Sequence, residues 1–190
     1  MMEKRTFRAC WLVCLIALTC WCCGKNSERF VMVAPAHSGI TFQNTLVASD
    51  SFNVFDFEYM YNGGGVAIGD IDNDGLEDVY LTGNTTTSRL YRNKGNLQFE
   101  DITDKAGVGT WQWATGVTMA DVNADGWLDI YVCVSGHKDS TLRKNLLFVN
   151  NTDGTFTERA PAFGLASTRF STQAAFFDFD RDGDLDMYLM

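Results

Sequence analysis

Apolar and small residues alternate in two short segments that flank an acidic stretch at residues 70–78. Val66 and Ile68 alternate with small residues before the stretch, and the apolar run 79–81 follows it directly. A period of two residues is typical of β-strands, whereas clustered Asp, Asn and Gly favour turns. The pattern therefore predicts a β-hairpin whose connecting loop is acidic.

The acidic loop reads DIDNDGLED and presents a side-chain oxygen at its positions 1, 3, 5 and 9. These residues are Asp70, Asp72, Asp74 and Asp78. Oxygens at every second residue suit a loop that wraps around Ca²⁺, and Gly75 at position 6 matches the start of an EF-hand loop. An EF-hand also needs Glu at position 12, where this chain has Leu81. We therefore expect a calcium loop inside a hairpin. For a single copy, an acidic turn without metal is the alternative.

The acidic loop recurs twice farther along the chain. The second copy contains Asp121, Asn123, Asp125 and Asp129, and the third contains Asp178, Asp180, Asp182 and Asp186. A second motif, LY-x-N or LF-x-N followed by Phe, predicts a further hairpin at residues 90–99 and 147–156. In both repeats 31 residues separate this motif from the next acidic loop, 90 to 121 and 147 to 178. Three copies favour a shared cation site over a chance acidic turn.

Repeats of 51 and 57 residues with several short strands and no helical period predict the blades of a β-propeller. The six additional residues fall at 135–144 and predict a surface loop. A β-solenoid is the alternative, although its turns are usually shorter. Residues 38–42 and 52–57 also alternate, which predicts a partial blade or a cap before the repeats.

The first 23 residues differ from the rest of the chain. Lys4, Arg5 and Arg8 precede an apolar run of 11 residues at 9–19, which is typical of an export signal. That run is too short for a transmembrane helix, which needs roughly 20 residues. We predict lipidation at Cys20 or Cys23, a polar tether at 24–37, and location in the cell envelope or on the outer surface. Plain cleavage and an uncleaved anchor are the alternatives.

Five of the six cysteines lie in this leader, so the body has no disulfide framework. Cys133 stands in an apolar strand and is predicted to be a small buried hydrophobe. The formal net charge of -9 argues against nucleic acid as a partner, because phosphates would be repelled.

The composite G-V-A-x-G-D-x-D-N-D-G-x-x-D, followed by L-Y-x-N-x-G and F-x-D-x-T, resembles the FG-GAP/VCBS repeat. Over residues 38–190 the chain is similar to bacterial proteins related to cartilage acidic protein, many of which carry an ASPIC/UnbV domain. The resemblance implies an all-β, seven-bladed propeller of the integrin-α type with Ca²⁺ in several blades. It implies that the twelve loop residues named above are the ligands, together with the carbonyls of Leu76, Trp127 and Asp184. Two to three blades fit in this length, so we expect a fragment of a longer protein.

Two departures qualify the resemblance. The literal Phe-Gly and Gly-Ala-Pro tags of integrin repeats are absent, so integrin-like ligand binding does not transfer. Asn123 keeps an oxygen but removes a charge, so we expect the second calcium site to be the weakest.

These observations favour a lipid-anchored, calcium-binding propeller that serves as a binding or adhesion platform for an extracellular glycan or protein. The alternatives are a non-catalytic module of a larger secreted enzyme and a component that organises the cell surface. The chain has no G-x-S-x-G or H-E-x-x-H motif, only His37 and His137 as candidate bases, and no identified small-molecule substrate. Trp111 and Trp113 are predicted to pack in the core, with an aromatic sugar platform as the alternative.

Overall fold

The computed structural model describes residues 30–50 and 53–190. The leader 1–23, with Cys20 and Cys23, and the first part of the predicted tether lie outside the described residues. Residues Ala34–Met190 form one compact unit. Within the described ranges, no helix combines the length and the apolar composition that a membrane crossing requires.

The described part of the chain is all-β, with ten strands that pair in antiparallel sheets. Sheet 1 contains β1 (Val66–Gly69), β2 (Asp78–Leu81), β3 (Arg89–Asn93) and β4 (Phe99–Asp101). Sheet 2 contains β5 (Ala114–Ala120), β6 (Asp129–Val134), β7 (Leu146–Asn150) and β8 (Phe156–Glu158). Hairpin 3 contains β9 (Ala174–Phe177) and β10 (Asp186–Leu189). The predicted strand–acidic loop–strand units and the hairpins that follow the first two of them are confirmed.

Among the described residues, α1 (Pro35–Ser38) precedes β1, α2 (Thr103–Ala106) follows β4, and a 3₁₀ helix (Ser140–Leu142) lies between β6 and β7. The strand predicted at 38–42 is wrong, because the chain leaves α1 there and continues without regular pairing. Pro35 suits the first turn of a helix, where its missing N–H is not needed, and Gly39 ends the helix with a φ of 75°. Alternation alone does not reveal these two backbone effects.

The strand predicted at 52–57 is also wrong for the residues described, because residues 53–60 form consecutive turns. The Asn53 carbonyl accepts hydrogen bonds from the N–H groups of Asp56 and Phe57 at 3.0 and 2.9 Å. The Asn53 side chain also accepts from the N–H of Phe55 at 2.9 Å. Asn at the start of a turn competes with strand pairing in this way.

Consecutive units pack through their first strands, β1 beside β5 and β5 beside β9. Gly65 permits this approach, since a Cβ there would lie 2.8 Å from the Thr115 carbonyl oxygen. At Gly116, the corresponding glycine of the next repeat, a Cβ would lie even closer to the Thr172 carbonyl oxygen. The glycine of the G-V-A motif therefore allows adjacent units to come together.

Two apolar cores result from this packing. The first lies between sheets 1 and 2 and includes Tyr80, Leu90, Ile130 and Phe148. The second lies on the opposite face of sheet 2, where Tyr131 and other residues pack against hairpin 3. Sheet 2 is thus covered on both faces, and every residue of β6 and β7 is buried.

Candidate metal sites in the acidic loops

The three acidic loops, loop 1 (residues 70–78), loop 2 (121–129) and loop 3 (178–186), have the same backbone turn. In loop 1 the first carboxylate, that of Asp70, accepts from the N–H groups of Asp74 and Gly75 at 3.1 and 2.8 Å. Asp121 does the same with Asp125 and Gly126 at 3.0 and 2.8 Å. The glycines at position 6 have φ angles of 86°, 87° and 97°, a region that side chains disfavour. The repeated sequence therefore gives a repeated local geometry.

The aspartate at position 9 begins the second strand of each hairpin, where its register partners are Gly69, Ala120 and Phe177 in turn. Asp78 is 1% exposed and accepts from the N–H groups of Ile71 and Asn93 at 3.0 and 2.7 Å. Asp129 is 0% exposed and accepts from Val122 and Asn150 at 3.1 and 2.8 Å. These bonds aim the position 9 carboxylate into its own loop.

Asn93 and Asn150 also belong to the candidate sites, although the sequence pattern does not identify them. Each is the Asn of the LY-x-N or LF-x-N motif, and its backbone N–H holds the position 9 carboxylate. The signal was present, because both asparagines occupy the same place in their repeats. The residues of the motif by themselves predict only a hairpin.

Burial raises the pKa of Asp78 to about 6, and the neighbouring charges of Asp72 and Asp74 add to the effect. The hydrogen bonds from Asn93 and Ile71 act in the opposite direction. Burial also raises the pKa of Asp129, against the hydrogen bonds from Asn150 and Val122. Both loops thus hold a carboxylate whose charge is poorly solvated and which gains from a nearby cation.

Loop 1 also contains a buried oxygen without a hydrogen-bond partner, Asp72 Oδ1. Carboxylate oxygens of Asp70, Asp72 and Asp78 lie within 4.8 Å of one another. Buried polar atoms almost always have a partner, and an orphan among converging carboxylates is the arrangement that a hard cation completes. The donors of loop 1 therefore fit Ca²⁺.

Loop 3 brings together the corresponding carboxylates of Asp178, Asp180 and Asp186 within 4.8 Å, all of them exposed. In loop 2 the residue at position 3 is Asn123, whose Nδ2 donates to Asp125 Oδ2 at 2.8 Å. The predicted position 5 ligands are Asp74, Asp125 and Asp182, and neither Asp74 nor Asp182 belongs to these carboxylate clusters. Their Oδ1 atoms each accept from the N–H two residues on, at 2.9 Å in Asp74 and Asp125 and 3.1 Å in Asp182.

The remaining candidate residues have structural roles. His37 Nε2 lies 3.0 Å from the Asn96 carbonyl oxygen, and His137 Nδ1 accepts from the N–H of Asp139 at 3.0 Å. Cys133 is a buried free cysteine, as predicted, and burial raises the pKa of its thiol to about 12. Trp113 is 8% exposed and packs inside, whereas Trp111 is 72% exposed, so the core prediction is confirmed for Trp113 and wrong for Trp111.

Comparison with known proteins shows which family contains loops of this kind. A family model described as an FG-GAP-like repeat matches residues 70–132 and 133–189, which include all three loops. Cartilage acidic protein 1 of Xenopus tropicalis is 35% identical over 133 residues, 67% of this chain and 20% of that protein. Cartilage acidic protein 1 of Homo sapiens is 26% identical over 189 residues, 86% of this chain and 28% of that protein. The chain thus spans less than a third of the length of these relatives.

Proposed function

Because this chain belongs to the FG-GAP-like repeat family, we propose that it is a calcium-stabilised β-propeller module that binds an extracellular partner. Sheets 1 and 2 and hairpin 3 would be consecutive blades of a seven-bladed ring. The stacking of their first strands supports this arrangement, because blades of a propeller meet along their inner strands.

The unpartnered Asp72 Oδ1 is the observation that carries the calcium proposal. Two carboxylates about 4 Å apart repel by roughly 4 kcal/mol at an effective dielectric near 20. A bound Ca²⁺ would replace this repulsion with attraction and tie the start of each loop to its end. Asp70, Asp72 and Asp78 would hold the ion in loop 1, and Asp178, Asp180 and Asp186 in loop 3. In loop 2 the donors would be Asp121, Asn123 and Asp129.

The partner would be a glycan or a protein, and the module would be held at the cell surface through lipid on Cys20 or Cys23. The leader sequence supports export, and both His37 and His137 make hydrogen bonds to backbone groups. A non-catalytic module of a larger secreted enzyme is the second candidate.

Calorimetric titration of the purified chain with CaCl₂, paired with thermal melts in calcium and in chelator, tests the metal sites. At about 1 mM calcium a site with a Kd of about 10⁻⁴ M stabilises the fold by about 1.4 kcal/mol, so the melting temperature should rise. Saturation near three ions is expected, with one ion lost in Asp72→Ala and none lost in the control Asp104→Asn. An absence of binding heat together with an unchanged melt would show that the loops are only acidic turns.

A further inference from the structure

A cavity of about 860 Å³ opens where the first strands of the three units begin. Residues 55–59 and 62–65 form one wall, and the other side comes from residues around the starts of β5 and β9. The members of this second side include Trp113, Thr115, Gly116, Phe170, Thr172 and Gln173. The volume lies within the range of about 300–1,000 Å³ found for ligand pockets. Corresponding positions of three consecutive repeats therefore build one opening.

The wall at residues 55–59 alternates aromatic and acidic side chains, Phe55, Asp56, Phe57, Glu58 and Tyr59. The ring of Phe57 meets Tyr59 and Trp113 edge-on, with centroid distances of 5.8 and 5.5 Å. The nearby Glu58 carboxylate raises the pKa of Tyr59. Among the described residues that line the cavity, none is Lys, Arg or His. Carboxylates and aromatic faces both attract cations, so the lining favours a positively charged group.

The chain's own basic side chains already approach this lining. Lys138 Nζ lies 3.4 Å from Asp56 Oδ1, and its side chain is largely exposed. The guanidinium carbon of Arg143 lies 4.1 Å from the centroid of the Phe170 ring. Both residues belong to the segment 135–144, within which the six additional residues of the second repeat fall. Lining groups of this cavity therefore engage basic side chains within this chain, and the exposed Lys138 can be displaced.

We propose that this cavity binds a lysine or arginine side chain of a partner polypeptide. The charged end of that side chain lies at Asp56 and Glu58, and its aliphatic stem lies along the aromatic wall. The inference rests on the proposed binding role, and it names the chemistry of the partner. It requires a protein ligand, because a neutral glycan would not use the two carboxylates as counter-charges.

Fluorescence anisotropy on the calcium-loaded full chain tests this inference. The probe is a labelled Gly/Ser peptide with one arginine, and its neutral counterpart has citrulline at that position. The arginine peptide should bind more tightly, and Glu58→Gln should weaken it roughly two- to fivefold, as for an exposed ion pair. Lys138→Gln should strengthen binding by a similar factor, because it removes the competing cation. Glu77→Gln, the same change on an exposed loop residue, is the matched control.

Equal affinity for the arginine and citrulline peptides, or an unchanged affinity in Glu58→Gln, would overturn the inference. Equal weakening in Glu77→Gln would do so as well, since it would indicate attraction to the net charge alone. A glycan array run in parallel separates the proposed binding role from the proposed basic side chain as its ligand. Glycan binding without any preference for arginine would retain the binding role and reject the basic side chain as its ligand.

Independently of the cavity, a hydrogen-bonded path joins loops 1 and 2. Asp78 Oδ2 accepts from the Ile71 N–H at 3.0 Å, and the Ile71 carbonyl accepts from Asn150 Nδ2 at 2.9 Å. The Asn150 N–H then donates to Asp129 Oδ1 at 2.8 Å. All four residues are buried. The path therefore connects the position 9 carboxylates of two neighbouring loops without a solvent-exposed step.

The corresponding asparagine of sheet 1 makes only the local part of this pattern. Asn93 donates its N–H to Asp78 Oδ1 and its Nδ2 to the Glu77 carbonyl at 2.7 and 2.8 Å. Asn150 has the same local contact to Leu128 at 3.2 Å and adds the contact to Ile71 in the neighbouring loop. The exposed tips are joined as well, since Asn73 Nδ2 donates to the Gly126 carbonyl at 3.2 Å.

We infer that loops 1 and 2 bind calcium as a coupled pair and that Asn150 is the positioning residue between them. Ion binding in loop 1 holds Asp78 and with it Ile71. The Ile71 carbonyl then orients Asn150, whose N–H orients Asp129 in loop 2. This inference rests on the proposed calcium sites, and the coupling is reciprocal by thermodynamic necessity.

The test is a double-mutant cycle of calcium titrations on the full chain. Loop 2 is followed through the emission of Trp127, which is identified by its loss in Trp127→Phe. Disabling loop 1 with Asp70→Asn should weaken loop 2 at least about fivefold, the lower end of typical couplings. In an Asn150→Ala background the same substitution should leave the affinity of loop 2 unchanged. In the control Asn93→Ala background the coupling should persist.

A purely structural role of Asn150 would lower the affinity of loop 2 equally with and without loop 1, and that result would reject the coupling. The coupling would also be rejected if Asp70→Asn, made in the otherwise unmodified chain, left the calcium affinity of loop 2 unchanged. If neither loop responds to calcium at all, the calcium proposal itself fails, which is a different result.

Discussion

Loops 2 and 3 have the same turn but lie in different surroundings. In both, the position 9 aspartate accepts from the N–H seven residues earlier, at 3.1 Å in Asp129 and 2.9 Å in Asp186. Yet Asp129 is fully buried in sheet 2, whereas Asp186 is exposed in hairpin 3. Sheet 2 has an apolar core on each face, whereas among the described residues only one of these cores includes residues of hairpin 3. Local sequence thus sets the shape of the loop, and the neighbouring units set its burial.

Sheet 2 and hairpin 3 should differ most in the free energy of unfolding that is lost when a phenylalanine ring is removed. Phe148 in sheet 2 is 5% exposed and Phe177 in hairpin 3 is 45% exposed. Phe148→Ala should lower the free energy of unfolding by about 3–5 kcal/mol, because it leaves a cavity between two sheets. The matched variant Phe177→Ala should cost about 1 kcal/mol or less. Urea unfolding measures both values, and similar losses would contradict the comparison.

A smaller effect is expected from the polar link between sheet 2 and the segment before hairpin 3. Asn145 is fully buried, accepts from the Val134 N–H at 2.8 Å, and donates to Ser171 Oγ at 3.0 Å. Asn145→Ala should cost about 1–3 kcal/mol, because it leaves a buried N–H without a partner. Amide exchange should also accelerate in β9 before it does so in β6. The exposed Asn151→Ala is the control, and equal destabilisation in both variants would show that the buried link has no special role.

The smallest effect should come from giving loop 2 a carboxylate at position 3, where loop 3 has one. Asn123→Asp gives loop 2 the acidic pattern of loop 3 and should tighten calcium binding there by up to about tenfold, since ligand charge tunes affinity. In chelator the same variant should be slightly less stable, because the new carboxylate repels Asp121 and Asp125. Calorimetry and melts measure the two effects. Unchanged affinity would mean that burial, rather than charge, limits loop 2.

The local parts of this fold were predictable from the sequence. Both hairpin types, the turn of each acidic loop and the burial of Cys133 follow from residues close together in the chain. The two wrong strand predictions, at 38–42 and 52–57, have local causes too. Pro35 with Gly39, and the turn begun by Asn53, outweigh an alternating pattern that is too short to decide by itself.

The candidate metal sites could be predicted only in part from the sequence. The carboxylates of loops 1 and 3 could be identified because spacing within nine residues brings them together. Their burial could not be predicted, and neither could the different burial of Trp111 and Trp113, which lie only two residues apart.

The sequence by itself thus determined the repeated strands, the acidic turns and the donor set of each loop, because hydrogen bonds between near neighbours hold them. Tertiary structure alone decided that Asp129 is buried and Asp186 exposed, and that Asn150 reaches Ile71 across 79 residues. It also decided that residues 55–59 and residues around the starts of the first strands of three repeats line one acidic, aromatic cavity. The reason is physical: burial and long-range contacts depend on which surfaces meet, and that depends on the packing of whole sheets rather than on any one segment.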